Sequence, residues 1–264
     1  MDKSTVAGIV VGLGGITAGL LLEGGKLSQV LQPTAALIVG GGTLGAVLLQ
    51  FPLMTVITAI RELGTVLFEP HSGGKDEIAR LVKLAQKARR DGIISLDDEL
   101  ESIPSAFMRR AVMLAVDGTE SNELRAIMQL ELNSTAEAEE ELPKVYEAAG
   151  GFAPTIGIIG AVLGLIQVMQ HLDKIDEVGR GIAVAFVATI YGVGFANLIA
   201  LPIAGKLRHR LRARQILREL TLEGVVSVLE GINPRMLEAK LNGFLNQASE
   251  EAAGQKQAAQ AANK

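Results

Sequence analysis

The 264-residue chain contains no cysteine and no tryptophan, and only 3% of its residues are aromatic. Without cysteine there is no disulfide framework, no thiolate nucleophile and no cysteine-ligated metal or iron–sulfur cluster. Without tryptophan the usual aromatic belt at a membrane surface is thin, so helices in a bilayer are placed mostly by charge and by packing. A third absence says more. Four long apolar stretches, Ser4–Leu22, Thr34–Ile60, Gly151–Gln170 and Gly181–Gly205, carry no acid or base. Each is close to or beyond the ~20 residues that an α-helix needs to cross a hydrocarbon core.

Hydrophobic residues make up 48% of the chain and its mean hydropathy is +0.33, too apolar for an ordinary soluble protein of this length. These features predict an all-α, polytopic membrane protein with four transmembrane helices, a helical cytoplasmic domain between spans two and three, and a C-terminal cytoplasmic helix. The expected division is spans one and two within 1–60, the helical domain over 61–150, and spans three and four within 151–205. A basic helix with its following segment then covers 206–247, and a disordered tail 248–264. Lipid is the surrounding medium, and nothing in the composition points to nucleic acid.

Lysine and arginine set the expected orientation. The link between the first two runs carries only Lys26, and the link between the last two only Lys174 and Arg180. The middle block holds Arg61, Arg80, Arg89, Arg90, Arg109 and Arg110 among others, and the fourth run is followed at once by Lys206, Arg208, Arg210, Arg212 and Arg214. The positive-inside rule places the block, the basic stretch and both termini in the cytoplasm. Ser4–Leu22 is too long, and its leading segment too short, for a cleavable signal peptide.

Small residues recur at packing spacings: Gly8, Gly12, Gly15 and Gly19; Gly41 and Gly45; Gly157, Gly160 and Gly164; Gly192, Ala196, Ala200 and Ala204. In lipid such stripes let helix backbones approach closely. Four stripes are hard to bury inside one small bundle, so contacts between subunits are expected, and with them a homo-oligomer.

An ion path through a protein normally needs an intramembrane ionisable group, and these runs have none. They offer Thr43, Thr155, Thr189, Tyr191, Asn197 and Gln50, which can hydrogen-bond but cannot cycle a proton near neutral pH. Either a partner supplies the carboxylate, or nothing is conducted and the helices are a scaffold. Three patterns carry no chemistry. Gly40, Gly42 and Gly45 spell a dinucleotide-binding motif but lie inside an apolar run. Asn133-Ser134-Thr135 is a glycosylation sequon on the cytoplasmic side. His71, His171 and His209 have no ligand-spaced neighbours, so surface positions are expected for them.

In the middle block, Lys75–Arg90 places Ile78, Leu81, Val82 and Ala85 on one helical face, and Pro104–Val116 does the same with Phe107, Ala111 and Leu114. Asn122–Tyr146 reads as a long acidic helix and Lys206–Leu229 as a basic one, expected to pack as neighbours. Asp91-Gly92 and Asp117-Gly118 mark turns. Between the first two helices, Arg89 and Arg90 stand across a short turn from Asp97, Asp98 and Glu99. This is either a charged docking patch or a solvated turn complementing two helix dipoles.

The chain resembles the MotA family of flagellar motor stator proteins, including its sodium-coupled PomA relatives, over roughly residues 1–245. The resemblance rests on the two-plus-two span layout and on four motifs: Arg89-Arg90-x-Gly92-x-x-Ser95-Leu96-acid; Pro104 with Arg109-Arg110, Leu114 and Asp117-Gly118; Ala153-Pro154 with Gly157, Gly160 and Gly164-Leu165; and Thr189-x-x-Gly192 leading to Pro202. The TolQ and ExbB energisers of the wider superfamily are similar in the last pair of spans but have three spans. The resemblance implies a homo-oligomeric ring, taken as a pentamer, around MotB-like single-span chains that supply an ion-binding aspartate. It also implies a rotor protein, FliG, engaged through charged residues.

On this basis the ion pathway is assigned to Thr155, Ala161 and Thr189 with hinge prolines Pro154 and Pro202, and the rotor contact to Arg89, Arg90, Asp97, Asp98 and Glu99. Ala161 stands where sodium-type members tend to carry threonine, so the ion is expected to be a proton, with Na+ the alternative. No cofactor, metal or catalytic residue is expected, since no bond need be made or broken. Each charge crossing 100 mV gains about 2.3 kcal/mol. The implied function is that of a stator subunit in the bacterial inner membrane that converts ion flow into torque. A TolQ/ExbB-like energiser and a non-conducting scaffold are the alternatives.

Overall fold

A computed structural model describes residues 3–67, 73–172 and 175–245. The expected tail from Ala248, His71 and Lys174 lie outside them. Among the described residues the structure is helical, with no strand. The helices are α1 (Lys3–Leu22), the single turn α2 (Leu27–Val30), α3 (Pro33–Gln50), α4 (Leu53–Leu67), α5 (Gly74–Asp91), a 3-10 helix (Ile93–Ser102), α6 (Ala106–Val116), α7 (Ser121–Gln170), α8 (Ile175–Phe195), a π-turn (Ala196–Ala200) and α9 (Leu201–Leu229). A further helix, α10, covers 234–245. By length and composition, four helices can cross a membrane: α1, α3, α7 and the run that begins in α8.

Two compact units form. Met1–Glu69 with Glu139–Arg210 makes the first, and Pro70–Ala138 with Leu211–Lys264 the second.

In the first unit the expected second run, Thr34–Ile60, is two helices rather than one. Pro52 has no N–H to continue the helix and drives the residue before it out of the α region. Phe51 accordingly ends α3 in an extended conformation (φ −120°, ψ 146°). The span is therefore the 18 residues of α3, and α4 restarts as an amphipathic helix burying Val56 and Ala59. The Tyr146 hydroxyl on α7 docks α4 by donating to the Ala59 carbonyl (2.8 Å).

On α3, Ala35, Val39, Thr43 and Val47 are buried at four-residue spacing. Ala35 and Val39 pack on Val187, Ala188 and Tyr191 of α8. The expected third run is the end of the 50-residue α7, continuous with the acidic helix before it and holding both Pro143 and Pro154 inside. The fourth run likewise does not stop at Gly205: α8 passes through the π-turn into α9.

The second unit is built round one apolar core. α5 buries Ile78, Leu81, Leu84 and Ala85, and α6 buries Phe107, Met108, Ala111, Val112 and Ala115. These meet Leu124, Met128 and Leu132 of α7, Leu220, Val225 and Val226 of α9, and Leu237 and Leu241 of α10. α6 starts at Ala106, two residues later than expected, because the Ser105 side chain caps it by accepting from the Met108 N–H. Gly92 (φ +86°) and Gly118 (φ +84°) take the left-handed conformation that the two Asp-Gly turns require.

The acidic and basic helices do pair through charge. Arg208 meets Glu147 in the first unit, and Arg125 meets Glu223 in the second. Glu223 also accepts from Lys240 (3.1 Å).

Candidate functional site

The residues assigned to the ion pathway, Pro202 apart, sit on the α7–α8 hairpin, whose backbones touch. A Cβ placed on Gly157 would lie 2.8 Å from the Ala188 carbonyl oxygen, one on Gly160 2.8 Å from the Ala188 Cβ, and one on Gly164 2.8 Å from the Gly181 oxygen. A Cβ on Gly192 would run into the Ala153 carbonyl. Glycine is required along this crossing because any side chain would part the helices. The contact is backbone on backbone, which is how small residues hold helices together in lipid.

This packing carries the candidate residues. Pro154 and Thr155 lie between the Ala153–Gly192 and Gly157–Ala188 contacts, and Thr189 meets the crossing through its Cα, 3.4 Å from the Gly157 Cβ position. Ala161 is half-buried beside Gly160. Thr155 is exposed and donates to the Phe152 carbonyl (2.8 Å); Thr189 is half-buried and donates to that of Ala185 (3.3 Å). With both hydroxyl protons returned to the helix, their oxygens keep lone pairs to offer an ion or water. Next to Thr155 runs an apolar row, Ile158, Ile159, Val162 and Ile166, each about half exposed. It offers no ionisable group.

The two prolines assigned as hinges both lie within continuous helical runs. Pro154 lies well inside α7. Pro202 follows the π-turn, in which the Leu201 N–H reaches back five residues to Ala196. A proline cannot make the bond to i−4, and one extra residue in the turn removes the clash that its ring would cause. Ala196, Ala200 and Ala204 remain buried through this irregularity.

Two further tyrosine and threonine positions were not assigned from sequence. The Tyr191 hydroxyl donates to the Val30 carbonyl (2.7 Å) and accepts from the Gln32 N–H (3.3 Å), tying the link before α3 to α8. Thr43 is buried, and its Oγ1 has no hydrogen-bond partner. It lines an apolar cavity of about 660 Å³ together with Leu13, Val39, Val47 and Tyr191.

In the charged patch the expected pairing is different. Lys87, not Arg89 or Arg90, faces the acidic triplet: its Nζ donates to Glu99 (2.7 Å) and lies 4.0 Å from Asp98. One helical turn separates Lys83 from Lys87, and the 3-10 helix folds the acids back on that face. The hydrogen bond from Lys87 holds the Glu99 carboxyl below the usual carboxylate range, and the same bond raises the Lys87 ammonium. Arg90 instead forks onto Asp91 (2.8 Å), which it holds low. Arg89 and Asp97 are exposed, and no bond engages either. Among the described residues, the patch thus leaves Arg89 and Asp97 unengaged beside the Lys87–Glu99 and Arg90–Asp91 pairs. Arg109, from a second motif, donates to the Ile103 carbonyl (2.7 Å) and closes the end of the 3-10 helix, while Arg110 pairs with Glu131 (3.2 Å).

No group of acidic residues and histidines among the described residues is arranged to hold a metal. His171 lies against the Gln167 carbonyl, and His209 is exposed. Gly40, Gly42 and Gly45 are helical within α3, where Gly42 packs on Ile156.

Four helices long and apolar enough to span a membrane, a glycine-crossed hairpin and a second helical unit define an all-α, polytopic class of membrane protein. Comparison with known proteins narrows the class. Residues 99–220 match the model of the MotA/TolQ/ExbB proton channel family, and residues 6–92 that of the motility protein A N-terminal region. Motility protein A of Bacillus subtilis (strain 168) is 36% identical over 247 residues, covering 93% of this chain and 91% of that protein. The chemotaxis protein PomA of Vibrio alginolyticus is 31% identical, covering 94% and 96%. The solved structure of C. jejuni MotAB superposes with a TM-score of 0.86 at 32% identity, covering 92% of this chain and 96% of that one. The chain belongs to the MotA branch of the MotA/TolQ/ExbB family.

Proposed function

We infer that this chain is a stator subunit of a bacterial flagellar motor, forming an ion channel with a single-span partner and passing the energy of ion flow to the rotor as torque. The observation that carries this is the glycine-crossed hairpin of α7 and α8, which holds Thr155 and Thr189 on apolar helical runs that carry no ionisable group. A channel so built needs an acid from outside the chain, and a MotB-like partner is the source that its MotAB neighbours suggest. A match to the motility N-terminal region at residues 6–92 favours this reading over a TolQ/ExbB-like energiser.

The finer points are parts of the same proposal. The coupling ion is a proton, because Ala161 offers no hydroxyl where a sodium site would use one. The chain assembles as a ring of five in the inner membrane, with both termini and the second unit in the cytoplasm, as the excess of lysine and arginine there favours. Arg89 and Asp97 contact FliG, since Glu99 is engaged by Lys87. The chain itself carries out no covalent reaction.

The test is single-cell swimming, with filaments counted, in a deletion strain complemented with wild type or Arg89→Glu. Filaments that are present but paralysed, restored by wild type and not by Arg89→Glu at equal membrane level, are the expected result. Normal swimming of the Arg89→Glu strain would remove Arg89 from the rotor contact. Wild-type swimming of the deletion strain, coupled with detergent sensitivity, would favour the envelope energiser.

A further inference from the structure

The 3-10 helix of the charged patch is long for its kind. It runs for ten residues, Ile93–Ser102, whereas runs beyond about four are uncommon because their hydrogen bonds are poorly aligned. Contacts from outside hold it. Leu96 within it and Ile103 at its end are buried in the core of the second unit. The Lys87 ammonium takes Glu99 (2.7 Å), Arg80 donates to the Ser102 carbonyl (3.1 Å), and Arg109 donates to that of Ile103 (2.7 Å). Fixed on these sides, the helix turns a different row outward. Side chains at i and i+3 of a 3-10 helix eclipse, so Ile94 stands in line with Asp97, and both are exposed. Arg89, across the Gly92 turn, is exposed as well.

Ile94 is 74% exposed, while Ile93 and Leu96 pack into the core. Among the described residues of α5 and the 3-10 helix, it is the one large apolar side chain left open to water. Complementary charge gives two partners register and fast approach more than affinity; affinity is concentrated in a few anchors seated in well-packed pockets near the centre of a contact. We propose that Ile94 is the apolar anchor of this docking patch, seating in a socket of a partner protein that carries a base opposite Asp97 and an acid opposite Arg89. The inference rests on the reading of the patch as the rotor contact and adds what the charges do not supply, a contact that sets how long the partner stays bound. Because core packing and the bonds from Lys87, Arg80 and Arg109 already fix the 3-10 helix, Ile94 is held outward before binding, and little ordering is lost when the partner arrives.

The experiment follows a bead on a single filament in the deletion strain, complemented at equal membrane level, where speed rises and falls in steps as stator units engage and leave. Dwell time at the rotor and speed per step are read separately. Ile94→Ser is expected to shorten the dwell about tenfold, the size of a hot-spot truncation acting through the off-rate, with speed per step unchanged. Ile94→Leu should keep long dwells. Met236→Ser, on α10 and also exposed, should leave both readings at wild-type values. A wild-type dwell for Ile94→Ser, or an equal loss for Met236→Ser, would overturn the anchor. So would a lower speed per step at unchanged dwell, which would place Ile94 in force transfer rather than in binding. Arg89→Glu tests the rotor reading by itself. If Arg89→Glu engages like wild type, the patch is not the rotor contact and the anchor falls with it; if Arg89→Glu fails to engage while Ile94→Ser keeps a wild-type dwell, the anchor alone is removed.

Discussion

Glycines recur at three- and four-residue spacing in α1 (Gly8, Gly12, Gly15, Gly19) and in α7 (Gly157, Gly160, Gly164). In α7 each meets the backbone or a Cβ of α8 below 3 Å from its Cβ position, whereas in α1 only Gly12 meets anything within 4 Å. The same pattern of residues thus closes one interface inside the chain and leaves another open. Spacing shows that a helix can be approached closely; only the partner's shape shows from which side. The open stripe of α1, with Gly41 and Gly45 of α3, is surface that the described residues do not cover.

The comparison is broken most severely at the crossing. Gly157→Val or Gly192→Val must push a side chain into a carbonyl oxygen of the facing helix, and backbone cannot yield as a flexible side chain does. Overpacking costs about 1–3 kcal/mol where neighbours can shift and more where they cannot. The expected outcome is loss of the assembled complex on size-exclusion chromatography and complete loss of swimming. Retention of a wild-type complex would show that the helices of this hairpin are further apart than the structure places them.

Tyr191 ties the two regions, since its hydroxyl on α8 holds the peptide that leads from α1 to α3. Tyr191→Phe removes one donated and one accepted bond while keeping the ring. A net loss of about 1 kcal/mol per hydrogen bond is expected, read as a lower melting temperature of the purified complex without loss of assembly. An unchanged melting curve would mean that the link is held by packing alone.

Much of this was legible in the residues. Apolar length located the spans, and the 3.6-residue period located α5 and the buried faces of α5 and α6. Proline was the under-read signal. Pro52 ends the second span because it restricts Phe51, and Pro202 draws a π-turn out of the apolar run before it; both follow from the missing N–H. The pairing in the charged patch was not legible, because it depends on the 3-10 helix turning Glu99 toward Lys87 rather than toward Arg89. Nor could four stripes of small residues be sorted into inner and outer ones, since that requires knowing which backbones cross.

Outside the spans, ion pairs add to the apolar core that joins the helices, and they respond to pH. Arg125 and Lys240 both bond to Glu223, holding its carboxyl below the usual range, chiefly through the hydrogen bond from Arg125. A carboxyl depressed in the folded state contributes stability that is fully present above its unfolded pKa of about 4.3 and is lost as pH falls through the folded value. Glu223→Gln is expected to lower stability by about 1 kcal/mol near neutral pH. The difference in melting temperature should shrink as the pH is taken below 4.3. A difference that stays constant to the acid limit would assign the effect to packing of the side chain.

The smallest effect is expected where the stripe is open. Gly15 of α1 has nothing within 4 Å of its Cβ position, so Gly15→Ala adds a methyl group to free surface and removes the conformational cost of glycine in a helix, about 1 kcal/mol in water. Assembly and melting temperature should be unchanged or slightly improved, in contrast to Gly157→Val two spans away. The informative failure is a loss of assembly with helix content intact by circular dichroism. That result would show that another chain approaches α1 at Gly15 as closely as α8 approaches α7, and the open stripe would then be an interface between subunits of the same backbone-on-backbone kind.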